Sequence, residues 1–220
     1  MDVLGCTSCW RTRLADIFLR VKAIVVEEGF GTEIDWQNQI SFSKITETDF
    51  LREAGWVILS SGMRETVVRQ KFPRISAAFF DWEAAERIVR NKKKCTSQAM
   101  QHFGHAGKIS AIVHISTHLF ENGFEAVRQG IEMIGIEYII QLPYMGPATS
   151  YHFAKNIGLP VAKPDRHLTR IAETVGYSSA QSMCADIAEI TGEKIPVIDI
   201  VFWRFATLYK DYLSYFSSSL

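Results

Sequence analysis

The sequence is short of most features that give a function away. Four cysteines in 220 residues, Cys6, Cys9, Cys95 and Cys184, are too few and too scattered for a disulfide framework, which agrees with a reducing compartment. The "CTSC" pair is followed by no second close pair, as a tetrahedral zinc site would require, so two free thiols in a terminal segment is the simpler reading. No apolar run is long enough to cross a bilayer, and "MDVLGCTSCWRTRLADIF" has neither the charged start nor the long apolar centre of a secretory signal. A soluble, cytoplasmic protein is expected. Net charge is lacking as well: Lys plus Arg and Asp plus Glu come to 24 each, so the overall balance gives no support to nucleic-acid binding. Repeats, low-complexity tracts and long linkers are also missing.

What is present is apolar and helical. A hydrophobic fraction of 47%, with 14 Phe, 7 Tyr and 5 Trp, indicates a well-packed globular chain. "TDFLREAGWVILSSG" has Phe50, Ala54, Val57 and Ile58 at helical spacing, with Thr48 or Asp49 as cap and Gly62 as stop. "RETVVRQKFPRISAAFFDW" follows and is broken by Pro73. A short helix from about Trp82 ends in the lysine run of "NKKK", which suits a helix C-terminus. "GKISAIVHISTHLFENG" and "FEAVRQGIEMIG" are helices closed by Gly123 and Gly135, and "RHLTRIAETVGY", "SAQSMCADIAEITG" and "IPVIDIVFWRFATLYKDYL" complete the chain. Strand signals are confined to "AIVV" and "QISF" near the N-terminus. The expectation is an all-α, two-lobed protein that allows a short N-terminal β element. Residues 1–45 would be an extension packed on the C-terminal lobe, 46–135 one helical lobe, and 136–220 the remainder.

Charge is local. Residues 141–170 carry Lys155, Lys163, Arg166 and Arg170 against Asp165, and residues 61–74 carry Arg64, Arg69, Lys71 and Arg74 against Glu65. In "QLPYMGPATSYHFAKNIG", Pro147 stands where a first helical residue belongs, because its missing N–H is an orphan there in any case. Gly146 before it lets a ligand approach the backbone, and the free amides of such a turn favour an anion. On turn chemistry alone an ordinary helix–helix connection is the better reading, since Pro and Gly mark every tight turn. His114 and His118 stand four apart in "HISTH" without a third ligand or a metalloprotease glutamate, so no metal is expected.

Leu142, Pro143 and Gly146, with Thr149 just after, resemble the "LPGxG" hairpin of the helix-hairpin-helix DNA glycosylase superfamily. Asp165, His167, Leu168 and Arg170 resemble that family's "VDTHxxR" segment, nineteen residues on from Gly146. The resemblance covers residues 105–205 and is architectural over 48–104. It implies a helix-hairpin-helix motif within 136–220, a catalytic cleft between the lobes, and Asp165 as the catalytic carboxylate. Pro143, Tyr144, Met145, Gly146, Ala148, Thr149 and His167 would hold the DNA backbone. Ser61, Met63 and Arg64 would form the wedge that fills the helical stack, and Trp56, Tyr144 and Trp203 are candidates for the base pocket.

Two departures are informative. Tyr144 replaces the first hairpin glycine, so the loop must either avoid a positive φ there or hold Tyr144 strained in one. Ala148 occupies the position of the lysine found in bifunctional members, and no cysteine follows Cys184 to build an iron-sulfur cluster. The resemblance therefore implies a monofunctional glycosylase that leaves an abasic site, with no cofactor beyond a monovalent cation at the hairpin when DNA is bound. Its partner would be double-stranded DNA carrying a modified base, met by a monomer without membrane contact. Two alternatives stay open: the same chemistry aimed at a hypermodified base in foreign (phage) DNA, and a DNA-binding module without catalysis.

Overall fold

A computed structural model describes the backbone of residues 4–219 and the side chains from Trp10 to Ser218. Among the described residues fourteen α-helices run in chain order: α1 Leu4–Val25, α2 Gly31–Gln39, α3 Glu47–Ser60, α4 Glu65–Ala78, α5 Ala85–Arg90, α6 Lys92–His102, α7 Ala106–Asn122, α8 Phe124–Ile134, α9 Ile136–Ile139, α10 Pro147–Asn156, α11 Arg166–Thr174, α12 Ala180–Thr191, α13 Ile195–Leu208 and α14 Tyr212–Ser219. The all-α expectation holds, and no strand occurs among the described residues. The β element allowed near the N-terminus is thereby corrected. "AIVV" lies at the end of α1 and the wide turn after it, and "QISF" runs from the last residue of α2 into the link that follows. The reason is longer-range periodicity: Leu14, Ile17, Phe18, Val21 and Val25 recur at helical spacing and are all buried.

The chain forms two compact units, residues 1–40 with 158–220, and residues 41–157. In the first, α1 packs on α12 and α13, and α11 packs on α12, α13 and α14. Phe18, Val201, Phe202, Phe205 and Phe216 are at its centre, with Phe202 edge-on to both Phe18 and Phe216. The N-terminal segment is thus two helices built into this unit's core. In the second unit, Phe50 of α3 stands edge-on to Phe153 of α10 and Phe124 of α8, with ring centroids 4.8 and 5.9 Å away. The hairpin segment belongs to this second unit. The boundary falls after Ile157 and not at 136, because Phe153, Ala154 and Asn156 of α10 are buried with α3.

Local features depart from the sequence reading in two further places. Pro73 does not break α4, which continues to Ala78; the ring is on the exposed face, where a lost backbone hydrogen bond is least costly. The helix expected from Trp82 begins instead at Ala85, after Phe80, Asp81 and Trp82 turn through φ of 55°, 50° and 67°. Burial of Trp82, its Nε1–H bond to Ser76 Oγ at 2.9 Å, and a ring so close to Gly55 that a Cβ there would come within 2.7 Å hold this left-handed turn. The lysine run consequently starts α6 and does not end α5.

Candidate functional site

The hairpin turn is built by its own apolar residues. Leu142 and Met145 are buried, the Leu142 amide donates to Ile139 O at 3.0 Å, and the Met145 amide donates to Leu142 O at 3.1 Å. Between them Tyr144 takes φ 69° and leaves 41% of its surface exposed. Of the two conformations open to Tyr144 in the sequence, the strained one is adopted. Gly146 then caps α10 with φ −72°, a value any residue accepts, and a Cβ would meet only Thr149 Oγ1 at 3.9 Å. This glycine leaves the approach to the turn open and is not required by backbone conformation. Pro147 follows at the first helical position, and no side chain caps the helix, so the Ala148 and Thr149 amides emerge at its positive end. Met145 is corrected from a DNA contact to a structural anchor, since its side chain is buried and its amide is engaged in the turn.

The 60–64 loop lies against the same turn through a residue not singled out in the sequence. Lys108, 2% exposed near the start of α7, donates from Nζ to Leu59 O at 2.8 Å and to Ser61 O. That Nζ also lies 5.9 Å from the ring of Tyr144 and 5.9 Å from that of Phe103. Burial pushes the ammonium below the usual lysine range. Ser61 and Gly62 carry the chain out of α3, Gly62 at φ +67°, and Met63 and Arg64 stand exposed at the tip before α4. The candidate wedge and the hairpin are therefore neighbours within one unit. A lysine on the apolar stripe of "GKISAIV", in register with Ile112, Ile115 and Leu119, is the sequence signal that would have found Lys108.

Asp165 belongs to the other unit. It caps α11, with Oδ1 accepting the amides of His167 at 2.9 Å and Leu168 at 3.1 Å, while Oδ2 accepts no hydrogen bond among the described residues. The loop leading to it is held from behind. Gln181 Oε1 accepts the Ala162 amide at 2.7 Å, buried Asp199 accepts the Lys163 amide at 2.6 Å, and the Asp165 amide donates to Lys163 O at 2.8 Å. These supports fix the half-buried carboxylate, one oxygen bound and one available. His167, half-buried beside it, has Nδ1 3.1 Å from Tyr212 OH and Nε2 accepting from Arg166 Nε at 3.3 Å. Burial is the main reason its imidazole is pushed below the usual histidine range.

Of the pocket candidates, Trp56 and Trp203 are drawn into packing. Trp56 is edge-on to Phe72 at 5.2 Å and lies under the Arg69 guanidinium, which places it between α3 and α4. Trp203 lies beside Arg204, whose guanidinium is bidentate to Glu33. Behind the hairpin, Asn156 at the end of α10 donates to buried Glu53 at 3.1 Å. His118 is engaged with Tyr138 OH at 3.2 Å, and no group of three His, Cys, Asp or Glu suited to a metal occurs among the described residues. The side chains of Cys6 and Cys9 lie outside the described residues. No protein-family model matches the chain, and no curated protein matches it.

Proposed function

We propose that the chain is a monofunctional DNA N-glycosylase that turns a damaged or modified base out of the duplex and hydrolyses its N-glycosidic bond. The observation that carries this reading is the turn at Tyr144. A bulky residue stands where the resembled hairpin has glycine, yet it holds φ 69°, the conformation a glycine would supply, and an uncapped helix with Pro147 at its first position follows. Strain of this kind persists only where the surroundings hold it, and here buried Leu142 and Met145 flank the turn. The amides of Ala148 and Thr149 would take a phosphate.

In the reaction, the electrons of the bond from C1′ to the base nitrogen leave with the base, and the sugar develops oxocarbenium character. Oδ2 of Asp165 faces that charge and accepts a proton from the water that adds to C1′, while Oδ1 stays on the two amides that orient it. Ala148 offers no amine for a Schiff base, so strand cleavage is not part of the chemistry.

The test is a panel of duplexes carrying alkylated, oxidised, deaminated and hypermodified bases, treated with alkali after incubation to reveal abasic sites. Release of one class by wild type, reduced at least ~100-fold in Asp165→Asn, supports the proposal. Tight duplex binding with no base released from any member would replace it with the non-catalytic hairpin module.

A further inference from the structure

A buried ammonium needs a reason. Lys108 is the third residue of α7, where the positive end of the helix disfavours a cation, and burial adds to the cost. The offset comes from another helix: the carbonyls of Leu59 and Ser61 are the negative end of α3. Closing α3 alone would not call for this arrangement. Gly62 already supplies a left-handed residue there, and the amides of Ser61 and Met63 are satisfied by Val57 O and Ser60 O at 3.1 and 3.0 Å. What Lys108 adds is a link between segments far apart in the chain. Its bonds fix the base of the 60–64 loop, and its remaining face is turned to Tyr144 and Phe103. The ring of Phe103 in turn lies under Lys71 of α4 at 5.8 Å.

We propose that Lys108 is a positioning residue that couples the 60–64 loop to the hairpin, holding Met63 and Arg64 at the height needed to replace an extruded base while the hairpin grips the strand. This inference rests on the glycosylase reading for its DNA consequence, but the coupling itself is a property of the protein alone. Lys108 does not act as a nucleophile: its Nζ is enclosed and donates to two carbonyls.

The experiment compares Lys108→Met, Lys108→Arg and Tyr144→Leu with wild type. Amide exchange is measured at 60–64 and 144–146, and single-turnover release is measured for one modified base, paired in a duplex and in a single strand. In Lys108→Met, exchange in both segments should rise on the order of tenfold over the rest of the second unit, as a local opening does. Release from duplex should fall at least ~10-fold while release from single strand holds, because only the duplex requires the base to be replaced in the stack. Lys108→Arg should recover most of the loss. Should Lys108→Met not fold, Tyr144→Leu carries the same test from the other side, raising exchange at 60–64 although the change is in the hairpin. A uniform rise in exchange, no rise at the second segment, or equal loss on duplex and single strand would overturn the proposal. If wild type releases no base at all, the glycosylase reading fails and the exchange measurements still decide the coupling.

Discussion

Asn156, the last residue of α10, donates its side-chain amide to Oε2 of Glu53 in α3 at 3.1 Å, and both residues are buried. Burial pushes the Glu53 carboxyl above its ordinary range, with Arg52 and Asn156 only partly restoring it. The folded chain therefore holds this proton more tightly than the unfolded chain. Stability falls as pH rises from the unfolded carboxyl value of 4.5 through the raised folded value. Glu53→Gln keeps an acceptor for Asn156 and removes the charge, so its stability relative to wild type should improve between pH 4.5 and 8. Urea midpoints across that range check the slope. Asn156→Ala leaves the carboxylate with one partner fewer and should cost about 1–3 kcal/mol at pH 7.

Tyr144 carries backbone strain that glycine would not. Tyr144→Ala and Tyr144→Gly both lose the ring over Lys108, so their difference isolates the positive φ. The glycine variant should be the more stable by about 1 kcal/mol, although alanine is ordinarily favoured by unfolded-state entropy. Thermal unfolding of the pair is the measurement, and equal midpoints would mean that the turn relaxes to negative φ once the ring is gone.

Most of the helices were legible from the spacing of apolar residues, as in α3, where Phe50, Ala54, Val57 and Ile58 fall on one buried stripe. The turn before α10 was legible because glycine and proline chemistry is local. Three things were not. Pro73 passed for a breaker because its tolerance depends on the face it occupies, which pattern alone does not set. "AIVV" passed for a strand because a four-residue apolar run has no period of its own. Lys108, Glu53 and Asp199 were missed because a charged residue counts as solvated until its partners are known, and these partners are 47 to 103 residues away for the first two and 36 for the third.

Asp165 caps α11, and the proposed chemistry would give it a second, separable duty. As a helix cap it is replaceable: asparagine caps as well as aspartate, so Asp165→Asn should change stability by no more than about 0.5 kcal/mol. Asp165→Ala loses the bonds to His167 and Leu168 and should cost about 1 kcal/mol. Under the proposed chemistry the two variants are equally inactive, since neither offers a carboxylate to the sugar. Chemical denaturation beside base release separates the duties. An Asp165→Asn protein that is both stable and active would assign the residue to capping alone.

His167 sets a different pH signature from Glu53. Its ring is half-buried against Tyr212 and sits in the first turn of α11, where the helix dipole disfavours an imidazolium. Burial, with Arg166 and Arg170, outweighs the attraction of Asp165 and lowers its pKa from 6.5. The unfolded chain thus binds this proton more readily than the folded chain. The contribution is fully present above pH 6.5 and is lost as pH falls toward the depressed folded value. His167→Asn cannot titrate, so it should remove part of the acid-side decline in stability below pH 6.5, and a urea series from pH 7.5 to 5 measures that change in slope. Tyr212→Phe removes the hydroxyl partner of Nδ1 without exposing the ring, and should lower stability at pH 7.5 by about 0.5–1.5 kcal/mol. A His167→Asn series that runs parallel to wild type would mean that the imidazole is equally protonated in both states, and that water reaches it despite Tyr212.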